Sequence, residues 1–265
     1  MVRAALFLGR WDLRSVVSAN QEQSKNMGET PAIRGVLNID KPLGYTSMAI
    51  CTKIRAKLRG GGAPKRVKVG HGGTLDPLAS GVLVVLIGRA TREQDKVMGT
   101  DKRYTATIDL AHVSESHDRE TELVPVEIER EPTREEIESV LAAWFVGEEV
   151  MQAPPAHSAV KIGGKRAYAL ARSGNTIEPD KRPVRIDSIE IVSYSFPELV
   201  LDVKCGKGTY IRSLARDVGL ALGVGGTLIG LVRTQVGGFL IDDALSIDDM
   251  ARVLDPWDLP TAGLD

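Results

Sequence analysis

The chain has 265 residues, 43% of them hydrophobic and 26% charged, with a formal net charge of −1. This composition excludes a disordered chain and supports a globular protein with a core sized for one large domain. Cys51 and Cys205 are its two cysteines; they exclude a disulfide framework and suggest a reducing compartment, and their spacing does not suggest a zinc site.

Residues 1–33 carry scattered arginines and end in a polar, turn-rich stretch. They read as a flexible extension outside the core fold. Charges interrupt their very short apolar stretch, which argues against a secretory signal and leaves organelle targeting open. From Gly35, GVLNIDKP predicts a short strand closing in a turn at Pro42 and Gly44. Ser47 to Leu58 predicts a helix with Ile50 and Ile54 on one face, and GGGAP at 60–64 a flexible break. The continuous apolar run Val82 to Ile87 predicts a buried strand, and RYTATIDL at 103–110 alternates as a strand does. Thr133 and Glu136 form a capping box that opens a helix through Val146. Residues 184–194 and 199–205 read as further strands, and a helix starts after Gly208 and stops at Gly223. Strands and helices mix without a steady βαβ rhythm, which predicts an α+β fold with a mixed sheet. No apolar stretch approaches the length that spans a bilayer.

Three features carry chemistry. In GHGGTLDPLASGVL (70–83), Asp76 is a single carboxylate between Leu75 and Pro77. Asp-Pro is a good helix start, with Asp as N-cap and Pro at the first helical position. A nucleophile is the competing reading, and the dipeptide alone favours the cap. In CGKGTYIR (205–212), glycines allow a tight turn into a helix, and Arg212 falls in its first turn. A cation there is disfavoured by roughly 0.3–1 kcal/mol unless an anion answers it, so Arg212 either has a carboxylate or phosphate partner or, as the equal alternative on this evidence, lies exposed at the surface. Finally, charge is polarised. Lys53, Arg55, Lys57, Arg59, Lys65, Arg66 and Lys68 form a run with no acid, whereas ten acids crowd residues 115–138. A neutral chain arranged this way can still present a basic face to phosphates, although either run taken alone reads first as a solvated surface. Read singly, Tyr104 is a half-buried strand tyrosine and His71 a loop histidine.

Taken in order, GVLNIDKPLGYTS, GHGGTLDPLASGVL, DKRYTATIDL, QAPPAHSAVKIGGKRAYALARSG and KCGKGTYIRSLARDVG resemble the bacterial pseudouridine synthase B family over roughly residues 34–240. The resemblance implies a pseudouridine synthase catalytic core with a mostly antiparallel sheet flanked by helices and loops. It implies isomerisation of uridine 55 in the T-loop of tRNA, with no cofactor and no metal. Asp76 falls on the family's catalytic aspartate, Arg212 on the arginine that pairs with it, and Tyr104 on the tyrosine that stacks on the target base. His71 falls on the histidine that stacks inside the opened T-loop, and Tyr210 and Leu231 on substrate-pocket positions. Lys41 and Pro42 match a motif that supports the active-site loops, with Lys41 counted among the substrate-binding residues. Lys161, Lys165 and Arg166 lie in the segment that grips the T-arm. Gly72 stands where threonine is common in the family.

The resemblance further implies a cytoplasmic enzyme that binds the tRNA T-arm, works as a monomer without an obligate protein partner, and does not engage membranes. Residues 241–265 read as a short tail, with the family's C-terminal RNA-binding domain largely absent. A non-catalytic tRNA-binding or tRNA-folding protein on the same scaffold is the alternative.

Overall fold

The computed structural model describes residues 32–155, 161–162, 165–166, 179–250 and 254–261. Ile33–Asp265 form one compact unit. In chain order its elements are β1 (Arg34–Lys41), α1 (Ser47–Gly60), β2 (Val69–His71), β3 (Ser80–Gly88), α2 (Gln94–Gly99), β4 (Lys102–Asp109), β5 (His112–Val113), β6 (Val124–Pro125), α3 (Arg134–Trp144), β7 (Gly147–Gln152), β8 (Lys161–Ile162), β9 (Lys165–Arg166), β10 (Arg182–Ser195), β11 (Glu198–Cys205), α4 (Ile211–Leu222), β12 (Thr227–Val236), β13 (Phe239–Leu240) and β14 (Leu245–Ser246).

The main sheet runs β14-β1-β3-β12-β4-β11-β10-β7, with β2 added to β3 and β13 to β12. Only β1–β14 and β3–β12 pair in parallel among its ladders; the others are antiparallel, as expected for this fold class. The apolar run of β3 is continuous because both of its faces are covered. On one side Leu83, Val85 and Ile87 pack with Ile50, Ile54 and Leu58 of α1. On the other, Val82, Val84 and Leu86 pack with Ala90, Val97 and Val236. A larger cluster joins β4, β10 and β11 to α3 and α4 through Ile108, Ile186, Leu201, Val203, Ile137 and Leu214. Full burial of each such side chain contributes roughly 1.5–3 kcal/mol.

Local signals behave as their chemistry requires. The Thr46 hydroxyl accepts from Ala49 N–H to cap α1, and Thr133 and Glu136 close both arms of the capping box on α3. The helix α3 stops at Trp144, short of Val146, because β7 starts at Gly147, whose φ of +149° suits glycine alone. Gly223 closes α4 in the left-handed region, φ +71°. Two strands carry no clear sequence signal. The edge strand β7 is polar and largely exposed, and β12 is broken in pattern by Gly230 and Arg233 although it sits centrally between β3 and β4.

The described parts of residues 241–265 are built into the core. β14 pairs with β1, Val36 N–H donates to Pro260 O at 2.7 Å, and Leu259 packs so close to Gly35 that a side chain there would collide with it.

Candidate active site

Asp76 opens a turn, not a helix. Ala79 N–H donates back to Asp76 O at 3.1 Å, Pro77 and Leu78 form the corner, and β3 begins at Ser80. The cap reading fails because Pro77 fits the second position of a turn as well as the first turn of a helix, and the apolar run that follows is strand. The backbone around Asp76 is held from three directions. The buried Ser47 hydroxyl donates to Leu75 O at 2.9 Å and accepts from Leu75 N–H at 2.8 Å. Gly44 N–H donates to Pro77 O at 2.8 Å. The Arg233 guanidinium, 2% exposed, donates to Gly73 O and Thr74 O at 3.2 Å each and to Val82 O at 2.8 Å. The main chain is thus fixed while the Asp76 side chain stays 42% exposed.

Arg212 meets that carboxylate. Its Nη2 lies 3.0 Å from Asp76 Oδ2, which supplies the anion that a cation in the first turn of α4 requires. On its other side Nη1 lies 3.3 Å from Asp118 Oδ2. Asp118 is buried in the loop after β5 and held by the Ser116 hydroxyl at 2.6 Å and Glu120 N–H at 2.9 Å. The sequence pattern does not point to Asp118, one acid in a run of ten with nothing local to single it out; its preceding residue, His117, has φ +58°. Nor does it point to Arg233, since an arginine inside a strand of broken pattern gives no signal of its own.

Tyr104 of β4 lies directly opposite Arg233 of β12 in the ladder, and Leu231 lies opposite Ala106. Residues two apart share a face, so Leu231 and Arg233 line the same side of β12. Burial pushes the Tyr104 hydroxyl above the usual tyrosine range, with Arg233 pulling the other way. His71 ends β2; burial, reinforced by Arg233, lowers its pKa and favours the neutral ring. Gly72 beside it leaves no room for a side chain, because Val97 fills that space. Tyr210 precedes α4 and is half-buried.

Lys41 is fully buried, and its ammonium donates to Pro42 O at 3.0 Å and Tyr45 O at 2.7 Å. It thereby braces the loop next to Asp76. Burial lowers its pKa to about 8. Lys161 and Arg166 are paired across the β8–β9 ladder, with Lys165 next to them; the side chains of these three lie outside the described residues. Within the basic run, Arg55 donates to Val69 O and Lys57 to Met250 O. Lys53 lies 4.6 Å from the Tyr45 ring centroid. Lys65, Arg66 and Lys68 are exposed.

The arrangement offers a solvent-accessible carboxylate on a rigid loop, backed by a buried guanidinium, near a half-buried tyrosine and a neutral imidazole. Among the described residues no group of three His, Cys, Asp or Glu side chains could hold a metal ion, and no helix is long and apolar enough to cross a membrane.

Residues 62–211, which include Asp76, Tyr104 and Asp118, match the family model "TruB family pseudouridylate synthase (N terminal domain)". A "tRNA pseudouridine synthase B" from Phocaeicola vulgatus is 42% identical over 224 residues, 84% of this chain and 94% of the relative. One of the same name from Parabacteroides distasonis is 44% identical over 220 residues, 83% of this chain and 93% of the relative. Among solved structures, a chain of a Cbf5-Nop10-Gar1 complex superposes with a TM-score of 0.60 at 31% identity; the match covers 81% of this chain and 53% of that one, so this chain spans about half its length. Similarity of this degree across most of the molecule establishes that the chain belongs to the TruB family of pseudouridylate synthases.

Proposed function

We propose that this protein is a tRNA pseudouridine synthase that isomerises uridine 55 of the T-loop, with Asp76 as the nucleophile. The observation that carries the reading is the pair Asp76–Arg212 at 3.0 Å, an accessible carboxylate on a braced loop against a buried cation. The names of the relatives support tRNA as the substrate, and a cytoplasmic site of action fits that substrate.

The chemistry needs little more than a positioned nucleophile. The Asp76 carboxylate adds to the uridine, at C6 of the base or C1′ of the ribose. The N1–C1′ bond breaks, the uracil turns, and a C5–C1′ bond forms. The carboxylate leaves again, the proton on C5 passes to solvent, and N1 takes up a proton. Bonds and charge balance without oxidant, reductant or hydrolysis. The base must first leave its stack at a cost of a few kcal/mol. Stacking on Tyr104, with Leu231 and Tyr210 closing the pocket, offsets that cost. The neutral His71 ring is suited to stack within the opened loop, since RNA is read largely through unstacked loop bases. The exposed Lys65, Arg66 and Lys68 supply contacts to backbone phosphates.

The alternative is a tRNA-binding or tRNA-folding protein that performs no chemistry. Binding alone gives no reason to hold a buried arginine between an accessible and a buried carboxylate. The deciding test is tritium release from a tRNA transcript labelled at C5 of its uridines. Release near one equivalent per tRNA, lost in a transcript with U55 replaced by C, is the expected result. Binding without release would favour the folding protein.

A further inference from the structure

Helix α4 begins without a side chain of its own to cap it. Tyr210 is its N-cap residue and makes no side-chain capping bond, and no acid stands in the first turn. The orphan groups of a helix start must be satisfied from elsewhere. Here the partner comes from the sheet. Gln152, at the end of β7, is 2% exposed and directs both atoms of its amide at the backbone of Tyr210. Its Oε1 accepts from Tyr210 N–H at 2.8 Å, and its Nε2 donates to Tyr210 O at 3.0 Å. That same Tyr210 O accepts from Leu214 N–H at 3.0 Å, one turn into the helix.

Gln152 does not act alone. Its cross-strand partner in the β7–β10 ladder is Arg182. Arg182 donates to Gly208 O at 3.1 Å, and its guanidinium lies 5.3 Å from the centroid of the Tyr210 ring. The residue after Gln152, Ala153, accepts from the Ser213 hydroxyl at 2.7 Å. The bonds from this rung of the sheet and from the residue after it therefore fall on Gly208, Tyr210 and Ser213, on both sides of Arg212. Arg212 has to serve Asp76 at 3.0 Å and Asp118 at 3.3 Å with one planar head group. A small slide or rotation of the helix start would spoil both distances.

We propose that Gln152 and Arg182 form a cradle that sets where α4 begins and thereby places Arg212 against Asp76, making both of them positioning residues for isomerisation. The proposal rests on the synthase reading above. Neither residue is required to touch the reacting base. Their effect is on the chemical step, through Arg212, and not on the tRNA phosphates.

A double-mutant cycle separates this from a merely structural role. Gln152→Leu keeps most of the volume and removes both amide bonds. Gln152→Glu keeps the acceptor for Tyr210 N–H and loses the donor to Tyr210 O. Single-turnover tritium release with saturating enzyme should fall roughly 10–100-fold in Gln152→Leu and less in Gln152→Glu, the scale expected for an ångström-level misplacement. The Kd for tRNA should stay within about 3-fold, because binding is spread over many contacts. In an Arg212→Lys background, whose head group no longer fits both carboxylates, Gln152→Leu should cost less than about a further 3-fold. Equal losses in the two backgrounds, or a rise in Kd that accounts for the lost rate, would overturn the proposal. If Gln152→Leu loses its circular dichroism spectrum, Gln152→Glu and Arg182→Met carry the same cycle. Absence of release by the wild type would sink the synthase reading and the cradle's role together. Normal rates in all three variants beside an active wild type would sink the cradle alone.

Discussion

Asp118 Oδ2 lies 3.3 Å from Nη1 of Arg212, with both side chains more than nine-tenths buried. The exposed partner of that arginine, Asp76, is on the opposite nitrogen. Arg212 is thus held by a dry carboxylate and presents its other edge to a wet one. Breaking a buried pair by removing one partner strands the remaining charge, at a cost of roughly 3–5 kcal/mol. Asp118→Asn is therefore expected to lower the unfolding free energy measured by urea denaturation by an amount within or just below that range, and to slow single-turnover isomerisation about 10–100-fold through loss of positioning. A variant with wild-type stability and rate would show that Asp118 does not hold Arg212.

Asp76→Asn is expected to abolish isomerisation and to leave most tRNA affinity in place. Binding rests on distributed phosphate and stacking contacts, whereas an amide cannot act as the nucleophile. Because Asp76 is substantially exposed, the variant should also keep nearly the wild-type thermal midpoint. Tritium release measured beside filter binding decides it, and turnover near wild type would remove Asp76 from the chemistry.

Two buried amines give stability a pH dependence of known sign. Burial lowers Lys41 and Lys102 from 10.5 to about 8. Between those values the unfolded chain holds more protons than the folded one, so unfolding free energy rises with pH. The penalty is fully present below about pH 8 and is relieved as pH climbs toward 10.5, with a slope of at most about 1.4 kcal/mol per pH unit for each amine. Lys102 donates to Met98 O at 2.7 Å and also to Thr100 O. Chemical denaturation from pH 7.5 to 9.5 should show rising stability, and Lys102→Met should remove its share of the slope. A flat profile in the wild type would mean that neither amine is shifted.

The exposed cations after α1 should act on affinity without sequence selection. Replacing Lys65, Arg66 and Lys68 with alanine is expected to raise KM for tRNA and to flatten the slope of log affinity against log salt by about 0.7 for each phosphate left without its cation. The rate at saturating tRNA should change little. Filter binding across a salt series checks this, and an unaltered slope would leave these residues as solvated surface. Arg55 and Lys57, which donate to backbone carbonyls, should instead reveal their removal as lower stability.

Residues whose conformation is decided within a few positions can be read from the sequence. The capping box at Thr133 and Glu136, the left-handed Gly223 and the apolar run of β3 are local rules satisfied by neighbours in the chain. The family motifs likewise single out Asp76, Arg212 and Tyr104 as residues. Their spatial relation is another matter. Asp-Pro satisfies a helix start and a turn equally, and only the arrival of β3 beside β1 and β12 makes Asp76 the first residue of a turn. The strand β12 reads poorly because Gly230 and Arg233 interrupt its pattern, yet its central place puts Arg233 across from Tyr104 and beneath the Asp76 loop. Asp118 looks like an ordinary polar residue in sequence, and Gln152 only opens a family motif; each gains its partner from far along the chain, Arg212 in one case and the Tyr210 backbone in the other. Short-range sterics and hydrogen bonding are written into neighbouring residues, and so the elements were legible. Burial of a charge and its pairing across the fold arise only when distant segments exclude water together, and so the carboxylates around Arg212 and the braces behind Asp76 were decided by the tertiary structure.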